Sequence, residues 1–157
     1  MANLRGLFNW GPLQFEVFPL SLNEVTHTTG TDWAKKEIAG AAYYREWVGE
    51  GDEEIQLKGK LYPHFFAKAA RERGKASSGG MAELDALDNM RRLGHAHALV
   101  RGDGWMFGWY VVERLSRAHS FLAQDGIGQQ VIFEAMFVRV PVPQDPSDYF
   151  PTILQQT

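Results

Sequence analysis

Hydrophobic and polar positions follow a two-residue period over much of this chain, with a helical period near the middle. Leu13, Phe15 and Val17 alternate with Gln14, Glu16 and Phe18, as in a strand with one buried face. Ile55, Leu57 and Leu61 share one face of a second strand. That strand follows a predicted turn at Gly49-Glu50-Gly51-Asp52 and stops at Tyr62-Pro63. From His64 to Gly80 the pattern lapses. The first half reads as a short helix, and the second, with Ser77-Ser78-Gly79-Gly80, as a flexible loop.

The helical period falls between Met81 and Leu93. Met81, Leu84, Leu87 and Met90 recur at three-residue steps and make one apolar stripe. Glu83, Asp85 and Asp88 lie early and Arg91 and Arg92 late, which suits the helix dipole. Gly94 fits the left-handed position that ends such a helix.

From Ala96 to Val140 the pattern predicts a three-stranded meander. Its strands are Ala96–Arg101, Trp105 to about Phe121, and Gln129–Val140. Gly102-Asp103-Gly104 and Asp125-Gly126 supply the hairpin turns, because Asp-Gly tolerates positive φ. A two-residue turn at Asp125-Gly126 sets Arg117 opposite Glu134, a cross-strand charge pair. The last two strands are apolar on both sides. Trp105, Phe107, Trp109 and Val111 oppose Met106, Tyr110 and Val112, while Ile132, Met136 and Val138 oppose Val131, Phe133 and Phe137. Strands of this kind are covered on both faces. One helix covers part of one face, so sheet closure into a barrel and a neighbouring subunit are expected to cover the rest. After Val140, Pro141, Pro143, Pro146 and Pro151 favour an extended arm that carries the apolar Tyr149, Phe150, Ile153 and Leu154.

Composition narrows the function classes. The chain has 157 residues, which favours a single domain able to bury about two thirds of its unfolded surface. Its net charge of -3 gives no reason to expect nucleic acid or an acidic membrane as partner. It has no cysteine, which excludes disulfides, thiolate nucleophiles and cysteine-bound zinc. The stretch from Met1 to Phe15 is broken by Asn9, Gly11 and Pro12, so it holds no continuous signal core. No run approaches the ~20 apolar residues of a membrane helix. A soluble protein is expected.

The chemical candidates each have a plainer reading. Gly102, Gly104 and Gly108 mimic a dinucleotide loop, but that motif opens a helix, and here an aromatic strand follows. Gly108 marks a bulge or a close backbone approach. His95 and His97 would share a strand face, but a zinc site needs a third protein ligand, so they read as a surface pair. No serine sits in a nucleophile elbow. Asp52, Glu53 and Glu54 read as a solvated cluster. The five tryptophans would suit a ligand platform, but with no polar constellation beside them they read as core or interface residues. No catalytic, metal or cofactor residue is assigned.

An ordered series of short pieces carries a family resemblance. It begins with Glu53-Glu54-Ile55-Gln56-Leu57-Lys58-Gly59-Lys60-Leu61-Tyr62-Pro63, followed by Gly79-Gly80 before Leu84-Asp85-Ala86-Leu87. It continues with Gly94, Leu99-Val100-Arg101-Gly102-Asp103-Gly104, Gly108-Trp109-Tyr110-Val111-Val112, Phe121, Asp125-Gly126 and Ile132-Phe133-Glu134. From about Trp33 to Arg139 the chain resembles the GpU family, named for tail protein U of contractile-tailed phages. The residues 64–78 look longer than that pattern, and the arm after Val140 looks added.

The resemblance implies an α+β fold, mainly antiparallel β, with one main helix packed on a barrel or sandwich like that of tail-tube proteins. It implies a structural protein and no enzyme: a ring subunit, by sixfold symmetry a hexamer, at the distal end of the tail tube beside the central hub. The tail terminator at the head-proximal end is the alternative address, and a monomeric ligand-binding β-domain the alternative class. Expected partners are further copies of itself and the tube, hub or baseplate, and tape-measure proteins. The expected place is the virion tail or a phage-tail-like particle, made in the bacterial cytoplasm. Gly59, Tyr62, Pro63, Leu84, Leu87 and Gly94 match the family pattern as fold-defining residues, as do Gly102, Gly104, Gly108, Trp109, Gly126 and Phe133. The two-faced strands and the arm nominate Tyr110, Val112, Phe137, Tyr149, Phe150, Ile153 and Leu154 for a subunit interface.

Overall fold

The two-residue alternation carries most of the chain into one antiparallel sheet. The computed structural model describes residues 7–15, 21–74 and 79–142. In chain order the elements are β1 (Phe8–Trp10), β2 (Leu13–Phe15), β3 (Ser21–Lys36), β4 (Tyr44–Leu61), α1 (Pro63–Glu72), α2 (Met81–Leu93), β5 (His97–Arg101), β6 (Met106–Leu122) and β7 (Gly128–Val140). The strands bond in the order β2-β1-β5-β6-β7-β4-β3. The outer strands β2 and β3 do not pair with each other, so the sheet stays open and the expected barrel closure does not form among the described residues.

One face of the sheet is buried. Residues directly opposite across strands share a face. Ile55, Phe137 and Val112 therefore form one row across β4, β7 and β6, and Leu57, Ala135 and Leu115 the next. Helix α2 lays Leu84 and Leu87 into the same core, 0% and 1% exposed, with Met81 and Met90 flanking them. The sheet also curls over itself. Trp10 of β1 reaches Phe137 at 5.3 Å between ring centroids, edge to face, and its indole N–H donates to the Tyr110 carbonyl at 2.9 Å. Curling covers the core that a closed barrel would otherwise enclose. Ile132 on the far face stays 40% exposed, so β7 is buried on one side only. Tyr110, Val112 and Phe137, nominated for a subunit interface, belong to this internal core.

Three local expectations change. Asp125-Gly126 sits in a five-residue connection, closed by Ala123 N–H to the Ile127 carbonyl at 3.0 Å. The longer loop moves the register by one residue, so Ser116, not Arg117, lies opposite Glu134. A one-residue slip flips a side chain to the other face. Arg117 accordingly turns to the helix side, 2.7 Å from Asp85 and 3.3 Å from Asp88. Gly49-Glu50-Gly51-Asp52 is not a turn but lies inside β4, where two register shifts absorb the extra residues. A Cβ at Gly51 would come within 3.0 Å of the Gly30 backbone, so the two strands meet closely there.

Two helices form: α1 where a short helix was expected in the first half of 64–80, and α2 where the main helix was expected. Pro63 starts α1, its missing N–H costing nothing at the first helical position. Gly79, φ 66°, lies against Pro63, where a Cβ would clash at 2.2 Å from the carbonyl oxygen. Gly94 closes α2 at φ 69°, as its position after the apolar stripe predicts. The expected strand positions Glu16, Val17 and Phe18, the serines Ser77 and Ser78, and the arm residues Tyr149, Phe150, Ile153 and Leu154 lie outside the described residues.

Candidate functional site

Strand β4 outlasts its neighbour. It pairs with β7 from Glu54 to Leu61, but with β3 as far as Tyr44 opposite Lys36. Residues 29–36 and 44–53 therefore project as a two-stranded arm. A two-stranded ribbon is marginal on its own. Its root is held by one carboxylate.

That carboxylate is Glu53. It accepts the Tyr110 hydroxyl at 2.8 Å, the Arg139 guanidinium at 2.6 Å and the His27 ring at 2.7 Å. One side chain of β4 thus ties β3, β6 and β7 together. Burial pushes the Glu53 carboxyl up, but the hydrogen bonds from Tyr110, Arg139 and His27 outweigh it and hold the group below its usual range. Burial, followed by the bond donated to Glu53, pushes the Tyr110 hydroxyl well up. The bond to Glu53 likewise raises Arg139. The acidic cluster was expected to be solvated; Asp52 is exposed, whereas the Glu53 side chain is 14% exposed. A cleft of about 300 Å³ opens beside this hub, lined by Glu50, Gly108, Trp109, Arg139 and Pro141 among others. Gly108 adopts φ 131° at a register shift, which meets the expectation of a bulge.

Large apolar side chains gather at the arm's far end. Trp33 and Trp47 are cross-strand partners on one ribbon face, 52% and 58% exposed; Ile38, Tyr43, Tyr44 and Val48 are exposed in the same stretch, with Tyr44 three residues from Trp47 and so on the other face. Exposed apolar patches of this size are candidates for interaction surfaces. A second one lies at the opposite end of β4. There Tyr62, His64, Phe65, Phe121, Gln129 and Gln130 line a cleft of about 270 Å³. Phe65 is 69% and Phe121 74% exposed. Phe121 is the one non-glycine with positive φ among the described residues, at 54°. That backbone costs about 1–2 kcal/mol for a residue with a Cβ, and so exposed a ring recovers little of it within the chain.

The tryptophans divide. Trp10 is core, Trp109 half-buried, and Trp33, Trp47 and Trp105 are exposed. His95 and His97 lie 6.5 Å apart between ring centres, but His97 is buried, not on the surface, and burial, then the neighbouring His95, lowers its pKa. No group of three metal-binding side chains occurs among the described residues. Of the family-pattern residues, Pro63, Leu84, Leu87, Phe133 and Gly59 are buried. Gly102, Gly104 and Gly126 serve the hairpin loops, where Gly104 and Gly126 take positive φ, and Tyr62 stands exposed at the second cleft. The residues that sequence reasoning missed are Tyr43, Tyr44, Phe65 and Phe121. Their one advance signal was aromatic character beside loop composition.

A search of curated proteins finds no match. The family model described as Phage P2 GpU matches residues 11–141, which span the arm, both clefts and the Glu53 hub. With most of its length matched, the chain belongs to the Phage P2 GpU family.

Proposed function

We propose that this phage tail-associated structural protein is the subunit of a homo-oligomeric ring on the tail tube, at the distal end beside the hub. The observation that carries the reading is the pair of exposed aromatic clusters at opposite ends of β4. Two different sticky surfaces on one subunit favour head-to-tail contacts, which close into a ring when the rotation permits. A hexamer would match a sixfold tube. The tube, hub or baseplate, and tape-measure proteins are its proposed neighbours, in the tail of a virion or a tail-like particle. The family is a structural one, and the Glu53 hub supports a mechanical reading: its hydrogen bonds lock strands together.

The test removes the gene from a producing strain and images the particles, then locates a tagged copy by gold labelling. Tails that fail to initiate, with label at the distal tip, support the reading. Label at the head-proximal end assigns the protein to tube termination instead. Normal tails without the protein refute both addresses.

A further inference from the structure

We infer that the aromatic tip of the β3–β4 arm of one copy docks into the Tyr62–Phe65–Phe121 cleft of the next. This rests on the ring reading above and specifies the contact that would build it.

The surfaces suit each other chemically. The tip presents the exposed Trp33–Trp47 cross-strand pair, a side-chain type that dominates interface energetics. The cleft is rimmed by Tyr62, Phe65 and Phe121, and its volume of about 270 Å³ has room for a large side chain but lies below the usual range for drug-sized ligands.

Topology makes the occupant a second copy. The tip and the cleft stand at opposite ends of one strand, β4. At about 3.3 Å per residue, the stretch from Trp47 to Tyr62 spans up to roughly 50 Å. A paired strand cannot fold back over that distance, so a subunit cannot fill its own cleft. The two surfaces also differ from each other. A twofold dimer pairing tip with tip would leave the cleft open, whereas tip-in-cleft repeats from copy to copy.

Backbone strain points to the same place. Phe121 holds its ring out of the cleft wall in a left-handed conformation that the isolated chain does not reward. Strain of this kind persists where an exposed group is held ready for use. Docking would cover the ring with an aromatic partner.

The experiment uses the full chain in two variants. Trp33→Ala/Trp47→Ala damages the tip, and Phe65→Ala/Phe121→Ala damages the cleft. All four side chains are more than half exposed, so both variants are expected to keep wild-type circular dichroism. A Tyr43→Ser/Tyr44→Ser variant of the same tip serves if the tryptophan variant misfolds. Self-association is followed by sedimentation and native mass spectrometry, alone and with a tail partner present. Each variant should associate about thirtyfold or more weakly, the scale of a lost aromatic anchor. Mixing the tip variant with the cleft variant leaves one intact contact per pair, so the mixture should stop at a heterodimer. A mixture that assembles no better than either variant alone overturns the contact. Wild-type rings from both variants overturn it too, but leave the ring reading standing. A wild-type chain that stays monomeric at millimolar concentration, with and without tail partners, overturns both.

Discussion

Replacing Glu53 tests how the arm is anchored. The Glu53→Ala variant loses three hydrogen bonds, but they are unequal. The Tyr110 residue is fully buried, and a hydroxyl left without its acceptor there costs about 1–3 kcal/mol. The Arg139 and His27 side chains are 45% and 36% exposed, so water screens their share to about 0.2–1 kcal/mol each. Together these give a loss of about 1.4–5 kcal/mol, or a thermal midpoint lower by roughly 3–20 °C for a chain of this size. Glu53→Gln keeps an acceptor but no charge and should lose about half as much. The acid limb provides a second readout. A carboxylate whose folded pKa lies below its unfolded value of about 4.3 stabilises fully above that pH. Its contribution disappears as pH falls through the lowered folded pKa. Wild type and Glu53→Gln should therefore differ at neutral pH and converge in urea unfolding as pH falls through the lowered folded pKa. A Glu53→Ala midpoint within about 1 °C of wild type, against the roughly 3–20 °C expected, would refute the anchoring argument. So would a wild-type advantage over Glu53→Gln that persists in acid.

Other consequences are measurable on the same protein. Leu84→Ala, which empties a fully buried site where α2 meets the sheet, should cost about 2–5 kcal/mol by chemical denaturation. His97 is buried with a lowered pKa, so below about pH 6.5 the unfolded chain binds a proton that the folded chain refuses. Wild-type stability should therefore fall as pH drops from about 7.5 to 5.5, and His97→Gln should flatten that slope. Phe121→Asn, which suits the left-handed backbone, should stabilise the monomer by about 0.5–1 kcal/mol while weakening its self-association.

Much of the fold was legible because two periods and a few glycines govern it. Helix α2 showed in the spacing of Leu84 and Leu87 and in Gly94, which occupies the left-handed position that a side chain resists. The strands β5 to β7 showed in their alternation and in the loops around Gly104 and Gly126. Strand β3 did not show. Its run from Ser21 to Lys36 is polar and largely exposed, so burial imposes no alternation on it. Gly49 and Gly51 misled for a physical reason: glycines that normally mark a turn here accommodate shifts in register within a continuing strand. The barrel expectation failed at the same level. Two apolar faces implied closure, but curling of β1 over the core supplied cover without joining the outer strands.

The interaction surfaces were hidden by a different limit. Trp10 and Trp33 are the same residue type in similar company, yet one is fully buried and the other more than half exposed. What separates them is tertiary: β7 ends its pairing with β4 at Glu54, and everything beyond loses that neighbour. The residue beside that boundary is Glu53, and its partners come from the three strands that meet there. Position and chemistry agree in a way neither shows alone. A free ribbon would sample many directions and lose affinity to the entropy of ordering its tip. A root fixed by charge-assisted bonds limits that loss, so under the proposed contact Trp33 and Trp47 would meet a neighbour already oriented, the carboxylate setting the direction and the indoles making the contact.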